Sequence, residues 1–181
     1  MVEFVFLGDS LTYGFPYGPT ASWVNLSAEK LGVSFLNLGV CGDTLEDMKE
    51  RFKRERILGN TLVLLGGTND IYVNRPTSEI LQDAREIITV AKERNFSAIV
   101  LASPLPVLEE EWADERLKIL GRKYREIAGE LGVKYLDFYE PFKKLLKNNP
   151  GVLIDGLHPS REGYRFMAQI FLSFLGIEND F

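Results

Sequence analysis

The stretch FVFLGDSLTYG, residues 4–14, joins an apolar run to a turn of small and polar residues near the start of the chain. Its first four residues do not alternate with polar ones, which is typical of a strand buried on both faces of a parallel sheet. Gly8 and the pair Asp9-Ser10 then end the strand. Ligands of α/β proteins bind at such carboxyl ends of strands. The stretch therefore predicts a fold class and a candidate nucleophile, Ser10.

Apolar runs of this kind recur along the chain. Five short strands are predicted, at residues 3–7, 33–38, 61–66, 97–102 and 133–138. Apolar residues recur at helical spacing between and after them, most clearly within 80–91, 117–131 and 164–175. Strands that alternate with helices form right-handed βαβ units covered on both faces. We therefore expect a single α/β domain over residues 1–181, with three α/β/α layers around a doubly wound five-stranded parallel sheet.

Composition and charge argue against several classes of partner. The chain has 181 residues and a formal net charge of -5, whereas nucleic acids and anionic membranes attract dense Lys and Arg. The main basic cluster, RFKRER at 51–56, includes Glu55 and is interpreted as a solvated helix end. No apolar run approaches the ~20 residues that span a bilayer, and no leader segment is visible. We expect no nucleic-acid binding, no stable membrane association and a cytoplasmic location.

The chain contains one cysteine and one histidine. An internal disulfide and a zinc site of Cys and His ligands are therefore not predicted. Cys41 is expected to be a small buried filler. We expect no cofactor and no metal, and the sequence leaves the oligomeric state open.

Glycine-led segments follow the first three predicted strands: GDSLTYG (8–14), GVCGDT (39–44) and GTND (67–70). Glycine lets the backbone turn sharply and approach a ligand, and the carboxyl ends of parallel strands meet at one edge of the sheet. Each segment also has a simpler interpretation. Asp9 or Ser10, and Asn69 or Asp70, could cap a following helix, and Gly42 could serve only in a turn.

The histidine lies in a fourth segment, DGLHP at 155–159, just before the last predicted helix. Asp155 can fold back to accept a hydrogen bond from one imidazole nitrogen of His158, which leaves the other nitrogen free as a base. The alternative is that Asp155 belongs only to an Asp-Gly turn. Ser160 is expected to cap the following helix in either case.

These residue types match the needs of nucleophilic catalysis. A serine hydroxyl becomes a good nucleophile when a base removes its proton and a third group orients that base. Ser10, His158 and Asp155 can take these three roles. Attack on an ester also creates an oxyanion that needs preorganised donors, for which the candidates are the N–H groups of Ser10 and Gly42 and the side-chain amide of Asn69.

The four segments, in this order between residues 4 and 159, resemble the four sequence blocks of the SGNH hydrolases, also called GDSL-type esterases and lipases. The resemblance implies a flavodoxin-like domain in which Ser10 is both nucleophile and oxyanion donor. It also implies that Gly42 and Asn69 are the partner donors, with His158 as general acid and base and Asp155 as its orienting residue. Hydrolysis of small-molecule carboxylic esters or thioesters is the implied reaction, while the substrate stays undefined.

Aromatic and apolar residues near these segments are candidates for an acyl pocket, although they could equally be core residues: Phe15, Tyr17, Trp23, Tyr72, Leu105, Val107, Leu108 and Trp112. The last four lie in an irregular loop, 103–115, that two prolines interrupt. Glu109, Glu110 and Glu111 would make this rim acidic. We therefore expect a small to medium acyl group on a neutral alcohol.

Two other functions stay open at this point. The strand-end carboxylates of Asp9, Asp43, Asp70 and Asp155 could hold Mg²⁺ in a metal-dependent phosphohydrolase, although Gly42 and Asn69 would then have no obvious role. The same fold could also serve as a non-catalytic binding module, for which a nucleophile and a base would be unnecessary.

Overall fold

A computed structural model of the protein describes residues 1–177, and positions 178–181 of the predicted domain lie outside the described residues. Its five strands pair in parallel in the order β2-β1-β3-β4-β5. They are β1 (Val2–Gly8), β2 (Phe35–Gly39), β3 (Gly59–Leu65), β4 (Ala98–Ala102) and β5 (Lys134–Leu136). This is the flavodoxin-like, doubly wound order, in which ligands bind at the switch point between β1 and β3. The predicted fold class is confirmed.

Eight α-helices connect the strands in the described part of the chain. They are α1 (Ser10–Tyr13), α2 (Trp23–Leu31), α3 (Leu45–Arg54), α4 (Thr68–Tyr72), α5 (Thr77–Glu93), α6 (Glu111–Leu131), α7 (Tyr139–Leu146) and α8 (Arg161–Phe174). The predicted helical faces at 80–91, 117–131 and 164–175 belong to α5, α6 and α8. No helix within residues 1–177 is long and apolar enough to cross a membrane.

Two hydrophobic cores lie on opposite faces of the sheet. Val5 and Leu7 of β1 point into one core with side chains of α3, α5 and α6. Phe6 points into the other core with side chains of α2, α7 and α8. Burial on both faces explains why the apolar run of β1 does not alternate with polar residues.

Gly39 at the end of β2 allows helix α1 to begin directly after β1. A Cβ atom at Gly39 would lie 2.1 Å from the backbone nitrogen of Tyr13, a residue of α1. No side chain fits there. The absence of a side chain at Gly39 therefore fixes how closely the helix that carries Ser10 approaches the sheet.

Candidate active site

The three residues predicted to form a nucleophile, a base and an orienting group meet at the carboxyl edge of the sheet. Ser10 is the first residue of α1, and its Oγ lies 3.2 Å from Nε2 of His158. Nδ1 of the same imidazole lies 2.7 Å from Oδ2 of Asp155. Ser10 is only 7% exposed. The fold thus brings residues from the two ends of the chain into one hydrogen-bonded series.

A tight turn fixes the positions of Asp155 and His158 relative to each other. Oδ1 of Asp155 accepts the backbone N–H groups of Leu157 (3.0 Å) and His158 (2.7 Å). The backbone N–H of Ile154 donates to the carbonyl of His158 at 2.9 Å and closes the turn. The side chain of Ser160 accepts from the backbone nitrogen of Gly163, which confirms the predicted cap of α8.

These contacts keep the Asp155 carboxylate ionised. Desolvation raises the pKa of Asp155, but the hydrogen bonds from His158 and Leu157 together outweigh it and hold that pKa below its ordinary value. A carboxylate beside Nδ1 fixes the imidazole tautomer that has a bare Nε2, and it stabilises the imidazolium formed when Nε2 takes a proton.

The three predicted oxyanion donors come from the loops after β1, β2 and β3. Gly42 has a φ of 88°, a left-handed conformation that favours glycine. Asn69 lies in α4, and its side-chain amide donates to the carbonyl of Asp43, the residue after Gly42, at 2.9 Å. An amide nitrogen carries two hydrogens, so a second donor of Asn69 is left for a ligand.

Asp9 caps the helix that follows it, as the simpler interpretation proposed, whereas Asp70 does not. Oδ1 of Asp9 accepts from the backbone nitrogen of Leu11 at 2.9 Å. Oδ2 of Asp70 accepts from the backbone nitrogen of Leu45, so it caps α3 rather than its own helix. Burial, followed by the nearby charges of Asp70 and Asp43, raises the pKa of Asp9 to about 7 despite the hydrogen bond from Leu11.

Three of the four strand-end carboxylates, those of Asp43, Asp70 and Asp155, have a charged or imidazole partner. Asp43 pairs with Arg51 at 2.6 Å, and Asp70 pairs with Arg75 at 2.6 Å. Within residues 1–177, no group of three or more His, Cys, Asp or Glu side chains is placed to share a metal ion. Asp43 and Asp70 therefore each stabilise the segment that carries them through an ion pair of their own.

The interpretation of RFKRER as a solvated helix end is wrong for its first residue. Arg54 is solvated, with a side chain that is 73% exposed, but the side chain of Arg51 is only 13% exposed. Arg51 is two turns into α3, and helical side chains tilt toward the N-terminus of their helix. The carbonyls that receive Arg51 belong to β1 and β2, so the sequence around Arg51 carries no signal for this position.

One of the candidate aromatic rings, that of Phe15, packs against the triad. The ring centroid of Phe15 lies 4.6 Å from that of His158, and Phe15 is 39% exposed. Tyr72 packs edge-on against Trp112 at 5.8 Å, and Trp112 is exposed at the start of α6. Tyr17 lies beneath the guanidinium of Arg161 at 4.5 Å.

The other candidate pocket residues have different surroundings. Trp23, Leu105 and Val107 are buried within the two cores, so packing of the fold accounts for their apolar character. Leu108 is half-buried, and its N–H donates to the carbonyl of Gly156 at 2.8 Å, which ties the loop after β4 to the Asp155 turn.

Cys41 is exposed, so its expected burial is wrong. It lies in a turn beyond the end of β2, which is an edge strand of the sheet. Desolvation, followed by the charge of Asp9, raises the pKa of the Cys41 thiol. The side chain is therefore a neutral thiol at the rim of the site.

Comparison with known proteins gives consistent results. A model of the GDSL-like lipase/acylhydrolase family matches residues 6–166. The chain is 26% identical over 165 residues to an acetylxylan esterase of Geobacillus stearothermophilus, covering 82% of this chain and 75% of that protein. It is also 26% identical to thioesterase 1/protease 1/lysophospholipase L1 of Escherichia coli strain K12, covering 90% and 77%. The crystal structure of a lipolytic protein of the G-D-S-L family from Veillonella parvula DSM 2008 superposes with a TM-score of 0.87 at 22% identity, covering 96% and 98% of the two chains.

Proposed function

The chain belongs to the GDSL-like lipase/acylhydrolase family and is a carboxylic ester hydrolase, and we propose that it works through a Ser10–His158–Asp155 triad and an acyl-enzyme. The observation that carries the proposal is the hydrogen-bonded series from Ser10 Oγ through the imidazole to Asp155. Its geometry meets the two requirements of a serine nucleophile, a base within reach and a group that orients the base.

The first half of the reaction acylates Ser10. Nε2 of His158 takes the hydroxyl proton as Oγ bonds to the ester carbonyl carbon, whose oxygen becomes an oxyanion. The N–H groups of Ser10 and Gly42 and the side-chain amide of Asn69 donate hydrogen bonds to that oxyanion. His158 then gives its proton to the departing alcohol oxygen as the carbon–oxygen bond breaks.

The second half releases the acid. His158 takes a proton from water as the water oxygen attacks the acyl carbon, and the same donors stabilise the second oxyanion. The bond to Ser10 Oγ breaks, and Oγ recovers its proton from His158. Asp155 stays ionised throughout and stabilises the imidazolium in both halves.

We propose that the substrate is a small-molecule ester with a small to medium acyl group on a neutral alcohol. The exposed ring of Phe15 offers apolar surface beside the imidazole of His158. Glu109, Glu110 and Glu111 add negative charge along the loop after β4, which disfavours anionic substrates. The names of the two relatives, an acetylxylan esterase and a thioesterase/lysophospholipase, are compatible with a range of acyl groups.

The metal-dependent phosphohydrolase is not favoured. The family match and both relatives point to ester hydrolysis, and Asp43, Asp70 and Asp155 are each held by a cationic or imidazole side chain. A single domain, a cytoplasmic location and the absence of nucleic-acid and stable membrane partners stay predictions.

The proposed function is tested with p-nitrophenyl esters from acetate to palmitate, each with and without EDTA. The wild type should hydrolyse the shorter esters regardless of EDTA, and Ser10→Ala should lose at least about 1,000-fold in kcat. Ser78→Ala, at an exposed position on α5, is the matched control. Retained activity in Ser10→Ala would reject the serine mechanism, and a best substrate with a long anionic tail would reject the substrate class.

A further inference from the structure

One guanidinium contacts several of the segments that form the proposed oxyanion hole. Nη2 of Arg51 donates to the main-chain carbonyls of Gly8 (3.0 Å) and Leu38 (2.7 Å), and its Nε donates to Oδ2 of Asp43 (2.6 Å). The side chains of Arg51 and Asp43 are each only 13% exposed. This arginine thus connects the ends of β1 and β2 with the loop that follows β2.

Each of these contacts lies close in sequence to an oxyanion donor. Gly8 is two residues before Ser10, and Asp43 directly follows Gly42. The carbonyl of Asp43 also accepts the side-chain amide of Asn69 at 2.9 Å. The side chain of Asp43 therefore accepts from Arg51, and its main-chain carbonyl accepts from Asn69. Because Arg51 also donates to the carbonyl of Gly8, the Arg51–Asp43 pair contacts Asn69 and the segments that carry Ser10 and Gly42.

Gly42 itself is exposed and has open space beside its Cα atom. A Cβ atom at Gly42 would meet nothing within 4 Å. Besides the ion pair with Arg51, hydrogen bonds hold this loop: the N–H of Val40 donates to the carbonyl of Gly8 (3.1 Å), the N–H of Asp43 donates to the carbonyl of Val40 (3.2 Å), and the amide of Asn69 donates to the carbonyl of Asp43 (2.9 Å). The direction of the Gly42 N–H thus depends on the hydrogen bonds of neighbouring residues, most of which are made by Asp43.

We propose that Arg51 is a positioning residue of the oxyanion hole, which it aligns through Asp43 and the carbonyls of Gly8 and Leu38. This inference rests on the proposed function. Donors must lie within about 2.7–3.1 Å of the oxyanion to stabilise it, so a small shift of the Gly42 loop or of Asn69 weakens the transition state. A planar guanidinium can hold several acceptors in fixed directions, whereas an ammonium cannot.

Arg94 offers a matched control for Arg51. Its Nη1 and Nη2 donate to the carbonyls of Phe52 (2.7 Å) and Lys53 (3.1 Å), two residues near the end of α3. Arg94 follows α5 and precedes β4, so it lies near the amino ends of the strands, whereas Ser10 lies at their carboxyl ends. Both arginines therefore connect α3 to another segment through main-chain carbonyls, but Arg51 contacts the loops of the site and Arg94 contacts the end of α3.

The test compares Arg51→Met, Arg51→Lys and Arg94→Met in kcat, KM, thermal midpoint and affinity for a trifluoromethyl ketone, which forms a tetrahedral adduct on the serine. We expect Arg51→Met to lose about 10- to 100-fold in kcat, less than the loss from deleting a donor. KM should change by less than about threefold, and ketone affinity should fall in parallel with kcat. Arg51→Lys should be intermediate, and Arg94→Met should lose thermal stability without losing kcat.

The pH dependence of kcat separates a role in the oxyanion hole from a role at the base. The midpoint should be the same in Arg51→Met and wild type, because His158 and Asp155 do not contact Arg51 in the described residues.

The inference is overturned if folded Arg51→Met keeps its kcat and ketone affinity, or if both arginine variants lose activity in step with stability. Arg51→Lys decides the matter by the same criteria if Arg51→Met does not fold. Ester hydrolysis that persists in Ser10→Ala would overturn the proposed function as well, whereas Ser10-dependent hydrolysis with full activity in Arg51→Met overturns the inference alone.

Discussion

Asp155 holds His158 through both of its carboxylate oxygens. Oδ2 lies 2.7 Å from the imidazole Nδ1, and Oδ1 accepts the backbone N–H of the same histidine at 2.7 Å. One side chain therefore fixes both the backbone and the ring of the proposed base, within a turn of four residues. One oxygen therefore folds the turn, and the other contacts the ring that the proposed mechanism uses as a base.

Asp155→Asn separates these two roles. The amide oxygen can still accept the N–H groups of Leu157 and His158, so the thermal midpoint should change little. An amide NH₂ facing Nδ1 would instead favour the tautomer whose Nε2 carries hydrogen, and kcat should fall by about 100- to 10,000-fold.

Asp137→Asn is the matched control for that variant. Asp137 also caps a backbone nitrogen three residues on, at Glu140, and pairs with a cation, Arg125. Its kcat should equal that of the wild type. A kcat for Asp155→Asn within about fivefold of wild type would show that His158 does not need this partner.

Asp9→Asn should stabilise the protein increasingly as pH rises. Burial raises the pKa of Asp9 from 3.8 to about 7, so the folded state keeps the proton that the unfolded chain has lost. The favourable contribution is complete below pH ~4 and is lost as pH rises through ~7. The gain in free energy of unfolding for Asp9→Asn should therefore grow over this range, to about 4 kcal/mol at most, because asparagine keeps the cap on Leu11.

Asp47→Asn should show the opposite trend. Hydrogen bonds from the backbone and side chain of Thr44 lower the pKa of Asp47, so its stabilising contribution is present above its unfolded pKa and is lost as pH falls. Urea titrations of both variants and the wild type at several pH values measure the two effects. Parallel stability curves for Asp9→Asn and wild type would contradict a raised pKa at Asp9.

Gly39→Ala should disturb both stability and catalysis. A Cβ 2.1 Å from the backbone nitrogen of Tyr13 would push α1 away from β2, at a cost of about 3 kcal/mol, and α1 carries Ser10. Gly129→Ala is the control, because its Cβ would meet nothing within 4 Å in the interior of α6, and alanine there should add about 1 kcal/mol. Equal thermal midpoints and equal kcat in the two variants would contradict the close approach of α1.

Most of the fold and the triad could be predicted from sequence, because their signals are local. The apolar run before Gly8 marks a strand covered on both faces, and the four glycine- and aspartate-containing segments follow in a fixed order. Only the possible cap at Asp9 or Ser10 indicates helix α1, because four residues are too few for a 3.6-residue period to show. Helix α7, with Pro141 in its first turn, was missed, although proline is tolerated there.

The inward position of Arg51 and the exposure of Cys41 depend on tertiary contacts. Arg51 belongs to a charged segment whose composition is typical of a solvated surface, and the carbonyls of Gly8 and Leu38, together with the carboxylate of Asp43, hold it in a buried position. Burial in the core is likewise a tertiary property at three candidate pocket residues, Trp23, Leu105 and Val107. Apolar residues near a site are compatible with core and with pocket alike, and only packing distinguishes the two.

Phe15→Ala should weaken substrate binding more than chemistry. The Phe15 ring lies 4.6 Å from the imidazole of His158 and is 39% exposed, so its loss removes apolar surface from the open side of the triad. KM for p-nitrophenyl butyrate should rise by about 5- to 20-fold, equivalent to about 1–2 kcal/mol, with a smaller change in kcat. Tyr13→Ala, an exposed aromatic residue of α1, is the control, and an unchanged KM in Phe15→Ala would place the substrate elsewhere.

The identity of the nucleophile is tested most directly by covalent labelling with diethyl p-nitrophenyl phosphate, followed by intact mass measurement and peptide mapping. The proposed mechanism predicts one diethylphosphoryl group per chain, located on Ser10, and loss of esterase activity in proportion to labelling. His158→Ala should label far more slowly, because no base then removes the hydroxyl proton. Full esterase activity in stoichiometrically labelled protein, or a label on any residue other than Ser10, would contradict the mechanism.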